Sequence, residues 1–204
     1  MRLFDMFRRG GRIRDTASLG SFIDKQAAAL AQRSVEDYAR LRAGDQAEAL
    51  FAEPAFRAAV ERARAEAYPL ALAMVGETVE GVLRPHAGER EHPMLYGLIR
   101  LILDIFDRKP MPQAIGAWRA TRQQLAQAIN ELARGPAITV EKIAESYSGL
   151  FLALMPIHAK LRGEDFPALR NQLGAMLRSA RDQFIESADL PGLIDQLCAA
   201  EGAP

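Results

Sequence analysis

The sequence predicts an all-α protein, a compact bundle of about six to eight helices with two of them bent by proline. Three observations lead there. Apolar residues recur at three- and four-residue spacing through most of the chain. Glycine and proline punctuate that pattern at intervals suited to helix ends. β-branched residues are scattered and never alternate as a strand series would. At 204 residues the chain can bury a sizeable core as one domain. The pattern divides it into a basic amphipathic arm over 1–15, a helical domain over 16–198 and a flexible tail over 199–204.

In the arm, Leu3, Phe4, Met6 and Phe7 form the apolar side of a short helix, with Arg2, Arg8 and Arg9 around it, and Gly10 and Gly11 end it. Leu3, Phe4, Phe7, Arg8 and Arg9 are a candidate docking patch for a partner or, at most weakly, for a membrane surface. The plainer alternative is an arm packed on the body. Ser21 and Asp24 stand at capping-box spacing, and the helix after them runs to about Ala43, where Gly44 stops it. Its stripe is Ile23, Ala27, Leu30, Ser34, Tyr38 and Leu41. Pro54 suits the first position of the next helix, whose core side is Phe56, Val60, Ala63, Ala67 and Leu70. Pro69 falls inside that pattern, which predicts a bend and a freed carbonyl at Ala65. The helix resumes toward Leu83 before Pro85 and Gly88 open a loop.

Pro93 starts a helix, MLYGLIRLILDIF, interrupted only by Arg100 and Asp104 on one edge. Beyond Pro110 and Pro112, residues Trp118, Arg122, Leu125, Ile129 and Leu132 repeat by four and three. Thr139 caps the following helix. Its segment Ser146 to Ala159, SYSGLFLALMPIHA, has no formal charge and reads as the central core helix. Pro156 should interrupt its ladder and free the carbonyl of Leu152 beside a buried His158, with Gly163 ending the helix. Asp165 and Pro167 open the next helix, and LPGLIDQLCAA forms a short terminal one after Asp189. AEAYPLALAM and AESYSGLFLALMP echo each other, since both pass from Ala-Glu-x-Tyr into an uncharged helix bearing a proline.

Composition narrows the function. Lys and Arg number 26 against 26 Asp and Glu, so the chain as a whole has no excess of positive charge to offer a nucleic acid. Cys198 is the single cysteine, which excludes an internal disulfide and a multi-thiolate metal centre. The first residues lack the apolar core of a signal peptide and no run is long enough to span a bilayer, so a cytoplasmic protein is expected. A Gly-rich phosphate loop and a dinucleotide signature are both missing, and no cofactor is expected. Charge is nevertheless uneven, with an arginine-rich start and, after Arg181, only acidic charges, so the two ends attract within one molecule or between two. GPAITVEKIAESYSG resembles the helix-turn-helix opening of TetR-type repressors over those residues alone. A strongly apolar helix follows where a DNA-reading helix presents polar side chains, and no nucleic-acid partner is expected.

Three functions are compatible with this pattern. The preferred one is a non-enzymatic helical interaction or regulatory protein, acting through a protein partner or self-association. The first alternative is a carrier or sensor of an apolar small molecule held between the proline-bent helices, with Leu152, Met155 and Pro156 as lining and Tyr68, Tyr147 and His158 as polar contacts. The second is an enzyme using His158 as an acid–base group or a metal near His86, Glu89 and His92. Glu89 and His92 have the offset used in di-iron bundles, although a second Glu-x-x-His is missing.

Overall fold

The computed structural model describes residues 12–109, 120–123, 125–127, 135, 137–158, 162 and 165–199, and every regular element among them is a helix. In chain order these are α1 (Thr16–Ala43), α2 (Ala47–Ala52), α3 (Pro54–Ala87), α4 (Glu91–Asp107), α5 (Val140–Leu154), α6 (Phe166–Ser187) and α7 (Leu190–Ala199). Residues 120–123 and 125–127 are helical as well. The all-α bundle read from the sequence is therefore the observed class. The arm residues Leu3, Phe4, Phe7, Arg8 and Arg9, the prolines Pro110 and Pro112, and the tail beyond Ala199 lie outside the described residues. Among the described residues no helix is long and apolar enough to cross a membrane.

Local chemistry sets most helix ends. Asp15 caps α1: its carboxylate accepts from the Ser18 amide at 2.7 Å, and the Ser18 hydroxyl in turn accepts from the Asp15 amide. This start lies ahead of the one expected at Ser21, because Asp15 and Ser18 form the box instead. Gly44 and Gly88 close α1 and α3 with φ of 53° and 57°, a region where a side chain is disfavoured. Thr139 caps α5 by accepting from the Lys142 amide. Asp165 precedes α6, but its side chain makes no cap. It accepts from the Tyr38 hydroxyl at 2.7 Å and pairs with Arg42 of α1 at 2.8 Å. A tertiary demand has taken the carboxylate away from its local role.

The central helix is α3, which packs against α1, α4, α5, α6 and α7. All residues from Ala71 to Glu80 are buried, so this helix has core on every side there. It runs unbroken through Pro69 and Pro85, and the expected loop opens only at Gly88. The segment Ser146 to Ala159 is not the central helix. Within it Ser146, Gly149, Leu150 and Ala153 are exposed, while Ser148, Phe151 and Met155 are buried, the pattern of a one-sided outer helix. Pro156 also lies beyond α5 rather than inside it. Met155 adopts φ −59° and ψ 137°, the extended conformation favoured before proline, and the helix stops at Leu154. The Leu152 carbonyl accepts from the Met155 amide at 3.3 Å, and His158 is exposed instead of buried.

Two contacts complete the frame. Gly97 of α4 lies so close to α7 that an added Cβ would fall 2.8 Å from the Leu197 carbonyl carbon, so the two backbones meet directly. Ile13, ahead of α1, is buried and forms a parallel bridge with Ala188. Its amide donates to Ser187 and its carbonyl accepts from Asp189, at 3.0 and 2.9 Å.

Candidate functional site

Two places in this frame concentrate chemistry. The first is buried. Glu77 and Glu80 stand three apart on α3, so they share a face, and they are only 4% and 5% exposed. Glu80 pairs with Arg84 one turn on, and the same guanidinium reaches the Gly135 carbonyl and Glu91. Glu77 forms no ion pair among the described residues. It accepts a hydrogen bond from the Tyr147 hydroxyl of α5. Burial pushes the Glu77 carboxyl up to about 7, opposed by the Tyr147 hydrogen bond and assisted by the charge of Glu80. Burial raises Glu80 too, against the attraction of Arg84. Every buried side-chain nitrogen and oxygen among the described residues has a partner, so this polar core is internally closed.

The second place is a cleft of about 550 Å³ open to solvent, lined by Arg12, Arg14, His86 and the α6–α7 junction from Ala188 to Pro191. Its geometry follows from the bridge at Ile13. Side chains alternate along an extended segment, so pinning Ile13 inward turns Arg12 and Arg14 outward together. Neither guanidinium makes a hydrogen bond or ion pair among the described residues. Asp189 is the acidic lining residue, and its carboxylate accepts from the Gly192 amide at 3.3 Å in the first turn of α7. The cleft is cationic on balance. It is also where the basic start of the chain meets its acidic end.

The candidates from sequence are dispersed. Tyr68 donates to Asp24 of α1 at 2.6 Å, beneath Lys109, which itself pairs with Asp24 at 2.7 Å. Burial, followed by the bond to Asp24, raises the Tyr68 phenol above its ordinary range. Tyr147 is engaged elsewhere, on Glu77. Met155 is buried, Leu152 and Pro156 are half-buried, and His158 faces solvent. Two of the polar contacts expected for an apolar ligand, Tyr68 and Tyr147, thus serve different carboxylates. His86, Glu89 and His92 are exposed around the Gly88 turn, and among the described residues no group of three or more His, Cys, Asp or Glu is arranged to hold a metal ion. His86 lies in the last turn of α3, Glu89 in the single 3-10 turn Gly88–Arg90 and His92 in the first turn of α4.

Three features take roles that the pattern does not assign. The pair Glu77 and Glu80 has a signal, two acids in register with the apolar run ALAMVGETVEGVL. Arg162 has none: it donates to the carbonyls of Ala153, Met155 and Ile157 at 2.8–2.9 Å and so satisfies the chain end of α5. The spacing of Arg12 and Arg14 about Ile13 is a period-two signal, but too short to be distinctive. No protein-family model, curated protein or solved structure matches the chain.

Proposed function

We propose that this chain is a non-enzymatic helical interaction protein that takes an acidic segment of a protein partner into the cleft of Arg12, Arg14 and His86. The observation that carries the reading is that the guanidiniums of Arg12 and Arg14 line one open cleft with no carboxylate paired to them among the described residues. Charged groups left without a partner at a concave surface attract and orient a complementary one. The polar groups of the core are engaged with one another, which leaves little chemistry for a reaction centre there. All three histidines are exposed. The carrier reading draws less support, because Tyr68 and Tyr147 serve different carboxylates.

Fluorescence polarisation with a labelled acidic octapeptide tests the proposal. Saturable binding is expected at low salt, weakening at least about tenfold at high salt as screening requires. The double variant Arg12→Glu, Arg14→Glu should lose it with an unchanged melting temperature, since both side chains are exposed. Equal binding by that variant, or no binding by the natural chain, overturns the assignment.

A further inference from the structure

We propose that Glu77 is a proton-operated latch that sets how firmly α5 docks on α3. This device stands apart from the partner cleft and does not depend on it. Its basis is the way α5 is tied down. The chain entering α5 lies over α3, with the Ile138 carbonyl 3.7 Å from where a Cβ of Gly81 would sit. Arg84 holds the Gly135 carbonyl there, and the Glu80 carboxylate balances its charge. The second tie is the Tyr147 hydroxyl on Glu77, about one turn earlier along α3. One tie therefore has its counter-ion and the other does not.

Among the described residues no cation answers the charge of Glu77. Its own helix presents Glu80 and Arg84, and α5 presents the Tyr147 hydroxyl. At the head of α4, Glu91 answers Arg84. On α6, Arg178 pairs with Glu141 rather than with Glu77, and on α1 Asp24 serves Tyr68 about two and a half turns away. On α7, Asp195 pairs with Arg90. Neutral Glu77 costs little at this depth. Once ionised, it is a buried carboxylate with, among the described residues, one neutral donor and an acidic neighbour, and solvent supplies the missing stabilisation. Water reaches it by parting α5 from α3. α5 is suited to such motion because one side of it already faces solvent and it packs closely on α6, so the hairpin shifts together.

Hydrogen exchange of the full chain at about pH 6 and about pH 8, corrected for intrinsic rates, reads the latch directly. Protection of the Val140–Leu154 amides is expected to fall up to about tenfold across that interval. Glu77→Gln should keep the pH 6 protection at both values. Tyr147→Phe guards against a Glu77 variant that fails to fold. Losing a donor that favours the ionised form should move the midpoint to higher pH, which a purely structural role would not do. A pH-independent α5 in the natural chain, the same fall in Glu77→Gln, or an unmoved midpoint in Tyr147→Phe overturns the proposal.

Discussion

Pro69 and Pro156 lie in uncharged stretches entered from the same Ala-Glu-x-Tyr, yet the helix passes through the first and stops before the second. An interior proline costs a helix about 3 kcal/mol through a lost hydrogen bond and a steric clash. Beyond Pro69 every residue from Ala71 to Glu80 is buried, among them Leu72, Met74 and Val75. At about 1.5–3 kcal/mol for each large apolar side chain, continuing the helix outweighs the break. Past Pro156 the next described residues are a half-buried Ile157 and an exposed His158, and neither gives a further turn a buried face. Met155 takes the extended conformation, and Arg162 gathers the carbonyls left over. A proline is a stop signal only where nothing beyond it needs burying.

The comparison can be broken most directly in the core. Leu72→Ala, fully buried on α3, should cost about 3–5 kcal/mol, whereas Leu152→Ala, half-buried on α5, should cost about 1 kcal/mol, both measured by urea unfolding. Similar costs would mean that the two segments share the core equally. A smaller effect is expected where they touch. Glu77 sits at about 7 when folded, above the ordinary 4.5, so the folded state binds the extra proton between those values. Its stabilising share is complete below about pH 4.5 and is lost as pH rises through about 7. Thermal unfolding should show Glu77→Gln matching the natural chain near pH 5 and exceeding it near pH 8, by on the order of 2 kcal/mol.

Two further changes sharpen the account of the helix end. Arg162→Ala removes three hydrogen bonds from carbonyls at the α5 terminus and should cost about 1–2 kcal/mol, with faster exchange confined to Met155 and Ile157. Pro156→Ala should change stability by less than about 1 kcal/mol, since no helix is interrupted there. A large gain in helical circular dichroism for that variant would show instead that the chain beyond Pro156 can hold a further turn once the proline is gone.

Much of the frame was legible from local pattern. Gly44, Gly88, Pro54 and Thr139 mark helix ends where they stand in the sequence, because capping and backbone conformation involve only near neighbours. The candidate sites were hardly legible at all. Residue type alone points to His158, His86 and His92 as titratable chemistry, yet these are exposed and the buried carboxyl is Glu77. Asp165 shows the same limit: it stands at a helix start, but its carboxylate serves Tyr38, distant in sequence.

The sequence by itself determined that this chain is a bundle of helices and where most of them begin and end, since helical periodicity, glycine φ and side-chain caps act over a few residues. Tertiary structure alone decided which helix is central, how each proline is tolerated and where unpaired charge collects. Those outcomes rest on pairs such as Ile13 with Ala188 and Glu77 with Tyr147, which meet only after the chain has packed. Burial then assigns each charged group its environment, and that environment sets its chemistry.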